Sequence, residues 1–229
     1  MIPEPGPGDP RSVLAAPTFG TVERLALDEH SWVDVGRGWL PEESAVYDAL
    51  VRNVAWSQAR LWRYEVEIDE PRLTGWWRPG QPPPHSSVVA AQRTLQHRYG
   101  VRFDGTAFAW YRDGNDSVAF HRDRDMRWLD ETVIAVLTLG ATRPWQLRPR
   151  ANRYAHHLAD HGATVDLAPA GGDLVVMGGA SQAGWEHSVP KVRPAAAVGG
   201  RISLQWRWTS KRGRPQTGGS FRSARNFTR

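Results

Sequence analysis

Hydrophobic and polar positions along the chain fall into two regimes that meet near residue 103. Before that point the spacing is helical. Pro41-Glu-Glu-Ser puts proline and two acids where a first turn would lie, then Ala45, Val46, Leu50 and Val51 at helical spacing, so a helix is predicted there. A second helix is predicted over 85–99, after the Pro82-Pro-Pro84 stop, with Val88, Val89, Ala91, Leu95 and Tyr99 apolar and Gly100 placed to end it. Beyond residue 103 the pattern changes to short β-type runs: 104–112, 115–121, 132–139, 143–149, 163–168, 173–178, 184–188 and 201–208. Asp113-Gly-Asn-Asp116, Gly140-Ala-Thr, Ala170-Gly-Gly-Asp173 and Gly199-Gly200 are turn signals between them. Short strands at this spacing predict a β-sandwich or jelly roll, preceded by helices that cover one face. The fold class is mainly β with N-terminal helices (α+β). The chain has no internal repeat.

Composition narrows the picture in three ways. The 229 residues, 40% apolar and 23% charged, suit one large domain or a domain with a small extension. No apolar run approaches the roughly 18–20 residues of a membrane span, and Met1-Ile-Pro-Glu-Pro-Gly-Pro has neither the basic start nor the apolar stretch of a secretory leader. A cytoplasmic, monomeric protein is the expectation. Cysteine is absent, so any metal must be held by His, Asp or Glu. The net charge of +5 is not spread evenly: Lys211, Arg212, Arg214, Arg222, Arg225 and Arg229 face no acid after Thr209. Taking these six from the 29 basic residues leaves 23 against 24 acids, so the body has a net charge of −1. The expected organisation is a Pro/Gly-rich leader (1–20), a helical extension (21–102), a β core (103–209) and a basic tail (210–229). The tail is expected to be disordered and able to hold phosphates by charge, or simply to solubilise. Twelve tryptophans are many for this length; some belong to the core and a minority to stacking surfaces.

Chemistry concentrates at the ends of predicted strands. His121 and Asp123 are two apart, so on a strand both side chains face one side. A third ligand completes a facial triad of two His and one carboxylate, a set suited to non-haem Fe(II) with positions left open. His187, within Trp185-Glu-His187-Ser-Val-Pro190, is the best candidate. A His-x-Asp pair alone is a weak signal. Arg201-Ile-Ser-Leu-Gln-Trp-Arg207 adds two arginines an even number of positions apart, on one face of the last strong strand. Facing inward, each would require an anion, and a dicarboxylate would serve both. Alternation equally permits them to face solvent while Ile202, Leu204 and Trp206 face the core; only the triad favours the inward reading. His156, His157 and His161 fit a surface loop or turn.

The order His-x-Asp, His, Arg and a second Arg six positions on resembles the AlkB-type Fe(II)/2-oxoglutarate-dependent dioxygenases. Further stretches carry the same resemblance: Pro71-Arg-Leu-Thr74, Tyr111-Arg-Asp-Gly-Asn-Asp-Ser-Val118, Leu139-Gly-Ala-Thr-Arg143, Gly172-Asp-Leu-Val-Val-Met177 and Gln182-Ala-Gly-Trp-Glu-His-Ser-Val-Pro-Lys191. Together they span roughly residues 70 to 208. The resemblance implies a double-stranded β-helix core, with the region before it holding a base-covering lid. It implies Fe(II), 2-oxoglutarate and O2, with His121, Asp123 and His187 on the iron. Arg201, helped by Tyr111, would meet the distal carboxylate of 2-oxoglutarate. Ser203 would be a further co-substrate contact, and Arg207 would lie near the chelating carboxylate or pair with Asp123. Many relatives carry Asn two positions before the tyrosine; here Ala109 stands there.

The reaction implied is oxidative demethylation of N-alkylated bases in DNA or RNA, releasing formaldehyde, succinate and CO2. Bases methylated on a ring nitrogen are cationic and favour aromatic stacking beside a carboxylate. Trp76 and Trp77 are the stacking candidates, with packing of the lid as the alternative. Asp125 is a candidate base contact or else a surface carboxylate paired with an arginine. Arg143, Lys191 and Arg193 are candidate phosphate contacts at the mouth. Two other readings remain: an oxygenase of the same fold acting on a protein side chain or small molecule, and a non-catalytic nucleic-acid-binding module.

Overall fold

The computed structural model describes residues 21–63, 66–123, 126–150, 164–213 and 215–216. The expected leader, most of the basic tail, Asp125 and the His156, His157, His161 loop lie outside the described residues. Strands β1 (Val22–Ala26) and β2 (Ser31–Gly36) precede helix α1 (Glu43–Asn53). Strands β3 (Arg60–Arg63), β4 (Val66–Asp69) and β5 (Leu73–Trp77) lead to helix α2 (Ser86–Tyr99). Next come β6 (Thr106–Tyr111), β7 (Val118–His121), β8 (Thr132–Gly140), β9 (Gln146–Pro149), β10 (Val165–Asp166) and β11 (Leu174–Gly179). The short helix α3 (Ser181–Gly184), β12 (Trp185–Val189) and β13 (Arg201–Thr209) complete the order.

Two antiparallel sheets face one another as a jelly roll. The larger has the order β1-β2-β11-β8-β13-β6-β5 and the smaller β10-β9-β12-β7; β3 and β4 form a separate hairpin. The large sheet is covered on both sides, and β8 shows how. Val133, Ala135, Leu137 and Leu139 join the cluster that includes Val46 and Leu50 of α1 and Val88 and Leu95 of α2. Ile134 and Val136 point the other way, into a cluster with Leu147 of β9 and Val189 of β12. A strand buried on both faces has no reason to alternate, hence its continuous apolar run. The two helices form because their apolar stripes have this sheet to lie on. At the end of α2, Gly100 takes the left-handed conformation (φ 63°) and its N–H returns to Gln96 O.

All eight strands expected after residue 103 are present. The segment 21–102 is not purely helical, however: β1, β2 and β5 belong to the large sheet. In β2 every residue except Trp32 is buried, so the alternation that would reveal a half-exposed strand is missing. Among the described residues no helix is long and apolar enough to cross a membrane.

Candidate active site

In the smaller sheet β7 and β12 pair with His121 directly opposite His187. Beyond the end of β7, the Asp123 N–H donates to Gln182 Oε1 at 2.9 Å, which fixes the backbone two residues past His121. One potential ligand atom each from His121, Asp123 and His187 then lies within 4.8 Å of the others. His121 Nδ1 sits 2.8 Å from Ala119 O, so Nδ1 carries the proton in a bond to that carbonyl and Nε2 keeps its lone pair. His187 is buried, its ring stacked on Trp145 (5.4 Å between centroids, 17° between planes), and its Nδ1 has no partner among the described residues.

The charge states follow from burial. Loss of water pushes the His187 imidazolium down to about 3, with His121 adding repulsion. Burial also lowers His121, against the pull of Asp123. For Asp123, burial raises the carboxyl, but the Arg207 guanidinium, assisted by the histidines, overrides it and holds it below the ordinary carboxylate range. Arg207 donates to both carboxylate oxygens, at 2.8 and 3.2 Å. Two neutral imidazoles and one carboxylate are therefore ready ligands at neutral pH, and this donor set suits a divalent first-row metal such as Fe(II). The depressed His187 value has a stability consequence. Below its unfolded value near 6.5 the unfolded chain takes up a proton that the folded chain refuses. Its contribution is thus complete above about pH 6.5 and is lost as pH falls toward about 3. The melting temperature of metal-free protein should fall more steeply from pH 7.5 to 5 in wild type than in His187→Gln; equal slopes would contradict this.

Alternation on β13 sends Ile202, Leu204 and Trp206 into the helix-side core and Arg201, Ser203, Gln205 and Arg207 toward the site. The smaller sheet covers most of this face, so Arg201 lies in the interior and Arg207 keeps only about a quarter of its side chain exposed. Arg201 is completely buried. Its Nη2 reaches Thr138 Oγ1 at 3.1 Å, its Nη1 reaches the Arg143 carbonyl only at 3.4 Å, and its Nε has no partner among the described residues. Burial pushes the guanidinium down to about 10, so it stays charged at neutral pH, and among the described residues no carboxylate forms an ion pair with it, Asp166 acting only at a distance. Such a charge is costly until a carboxylate arrives. That unmet need is what a dicarboxylate co-substrate such as 2-oxoglutarate fits.

The neighbouring strands lay side chains in rows on this face: Arg201 beside Tyr111, Ser203 beside Ala109 and Thr74, Gln205 beside Ala107 and Trp76. Tyr111 and Ser203 are buried. Arg72 Nη1 donates to the Tyr111 hydroxyl at 3.4 Å while Glu70 holds the same guanidinium at 2.6 and 2.9 Å. Burial opposes the Arg72 charge, and the Tyr111 and Glu70 oxygens more than offset it, raising its pKa. Trp76 is 52% exposed on this face.

Two expectations need correction. Trp77 is not a stacking surface: it is buried in the helix-side core, its indole N–H donating to Gln81 O. Arg143 is not a phosphate contact at the mouth. It is fully buried and donates to the carbonyls of Asp113, Asp116 and Pro190 at 2.7, 2.9 and 2.8 Å, pinning two loops together. Arg143→Met leaves three carbonyls unsatisfied and should destabilise the fold by about 3 kcal/mol in denaturant unfolding. Loss of oligonucleotide affinity without loss of stability would contradict that role. Residues that sequence reasoning gave no role are Arg72, Trp145, Gln182 and Gln205. Arg72 and Gln182 fall inside the motifs quoted above, which was the available signal.

Comparison with known proteins agrees with this geometry. The sequence matches the 2OG-Fe(II) oxygenase superfamily over residues 51–207. The chain belongs to that superfamily, whose members use Fe(II), 2-oxoglutarate and O2. Within it the chain is of the AlkB type. It is 29% identical over 163 residues to bovine alpha-ketoglutarate-dependent dioxygenase alkB homolog 3, covering 66% of this chain and 57% of that protein. It is 28% identical over 127 residues to the human DNA oxidative demethylase ALKBH2, covering 54% of this chain and 48% of that protein. The chain thus spans less than two thirds of the length of these relatives. Among solved structures, OsALKBH1 superposes with a TM-score of 0.53 at 14% identity, over 82% of this chain and 100% of the other. A prolyl hydroxylase from Trichoplax adhaerens gives 0.53 at 14%, over 76% and 82%. Both likenesses concern the fold alone.

Proposed function

We propose that this protein oxidatively demethylates N-alkylated bases in DNA or RNA, releasing formaldehyde, succinate and CO2. His121, Asp123 and His187 hold the iron; Arg201, Tyr111 and Ser203 hold 2-oxoglutarate. When bound, Fe(II), 2-oxoglutarate and O2 supply the oxidising power, one oxygen atom entering succinate and the other the substrate C–H bond. An N-methyl group becomes N-hydroxymethyl, which expels formaldehyde and leaves the N–H base.

The chain's own groups do the rest. Arg207 keeps Asp123 ionised and oriented, Gln182 fixes its backbone, and Trp145 limits rotation of His187. Arg201 draws the co-substrate carboxylate into a dry recess where its charge is otherwise uncompensated. The observation that carries the substrate half is Trp76, a half-exposed indole on the same sheet face as Arg207, the partner of Asp123, where it could stack an extruded cationic base. The name of the ALKBH2 relative, a DNA oxidative demethylase, supports the same reading, and that of alkB homolog 3 supports the 2-oxoglutarate-dependent chemistry. The test is a panel of single- and double-stranded DNA and RNA oligonucleotides with defined methyl lesions. Formaldehyde and succinate should appear in equal amounts with at least one polymer. Succinate without formaldehyde from every methylated polymer would sink the proposal and favour a protein or small-molecule substrate.

A further inference from the structure

Gln205 is a polar side chain on the site face that the roles above leave unused. Its place follows from β13: it shares a face with Arg201, Ser203 and Arg207, and its row continues through Ala107 to Trp76. Arg207 Nη2 donates to Gln205 Oε1. A guanidinium has no acceptor, so this contact must use the carboxamide oxygen, and it settles which end of the amide is which. Nε2 is left with two N–H donors and no acceptor among the described residues, on a half-buried side chain. The same Arg207 grips Asp123, so the donor lies one side chain away from the triad. Only the small Ala107 stands between Gln205 and Trp76, whose strands lie about two strand spacings apart, roughly 9–10 Å. A base stacked on the Trp76 indole could turn an edge toward Gln205.

We propose that Gln205 is a specificity-determining residue: its Nε2–H donates to a carbonyl oxygen flanking the N-methyl group of the base. The inference rests on the demethylase reading and sharpens it. In 3-methylcytosine the O2 carbonyl adjoins the methylated nitrogen. In 1-methyladenine the flanking positions are a C–H and an amino group, so the donor stays unpaired. Both lesions are cations near neutral pH, so charge alone does not separate them. The site favours 3-methylcytosine over 1-methyladenine. One hydrogen bond left unmade in a closed site corresponds to about a tenfold difference.

The experiment compares two otherwise identical single-stranded oligonucleotides, each with one lesion. kcat/KM is measured with Fe(II), 2-oxoglutarate and O2, and equilibrium affinity is measured anaerobically on the same complexes. Wild type should favour 3-methylcytosine by about tenfold in both readouts. Gln205→Glu keeps an oxygen for Arg207 but has no donor, and Gln205→Met has neither; both should bring the ratio close to one. Equal preference in wild type overturns the inference. So does an equal loss for both lesions in the variants, because Gln205 would then serve only to order Arg207. If wild type binds and turns over neither lesion although it assembles Fe(II) and 2-oxoglutarate, the demethylase reading itself fails, an outcome distinct from equal use of both.

Discussion

Asp123→Ala should reduce coupled turnover by about a thousandfold or more and Fe(II) affinity by at least about 10–100-fold, the range seen when only the support of a ligand is removed. The reason lies in its double engagement. Asp123 supplies the negative charge of the triad, and it neutralises Arg207 through both carboxylate oxygens. Removing it leaves two neutral imidazoles beside an unpaired guanidinium, which repels a divalent cation. Arg207 is about a quarter exposed, so water screens part of the lost ion pair, and the stability cost should be modest, about 1–2 kcal/mol. Asp123→Asn separates the two effects, since it keeps the shape and one oxygen but not the charge. Succinate formation and anaerobic metal titration of both variants check this. Retained turnover in Asp123→Ala would refute the metal assignment.

Arg201→Met should move function and stability in opposite directions. A fully buried guanidinium with one unpartnered nitrogen and one weak 3.4 Å contact contributes little to the resting fold. Replacing a poorly compensated buried charge with a well-packed apolar chain is commonly neutral or stabilising. The melting temperature without ligand should therefore stay level or rise. The KM for 2-oxoglutarate should rise by about a hundredfold, the loss expected when one partner of a buried hydrogen-bonded charge pair is truncated. A fall in melting temperature with unchanged KM would mean that Arg201 is a structural residue. This is strain kept for function: the site holds a charge that only its co-substrate satisfies.

How much of this was legible in the sequence depends on whether the signal was local. The eight later strands could be read from turn residues and short apolar runs. Strand β2 could not, because Ser31–Gly36 is covered on nearly every side and shows no period. The resemblance places Leu73-Thr-Gly-Trp-Trp77 in a base-covering lid, whereas the segment is strand β5 of the large sheet, where two adjacent tryptophans take opposite faces. The structure sends Trp77 into the core and Trp76 to the site face. His121 and Asp123 were visible from their spacing. Arg201 and Arg207 were visible as a pair but not as inward-facing, since alternation has no sign until both sheet faces are known to be covered. Arg143 was misjudged for a related reason. A lone arginine is exposed more often than not, and nothing local shows the carbonyls of Asp113, Asp116 and Pro190 converging on it. Gln182 and Trp145 act on Asp123 and His187, distant in sequence (59 positions for Gln182), contacts that only the fold creates. Gln205 is two positions from Arg207 on the same strand, and its role shows only once this face of β13 is known to line the site.

The most direct test of the central claim is an anaerobic titration followed by visible absorption. A site that chelates 2-oxoglutarate on iron held by His121, Asp123 and His187 gives a charge-transfer band that needs both components. The band should appear when 2-oxoglutarate is added to the Fe(II)-loaded wild type, be absent in Asp123→Ala, and require far more co-substrate in Arg201→Met. No band in the wild type, or one of equal strength in Asp123→Ala, would contradict the account.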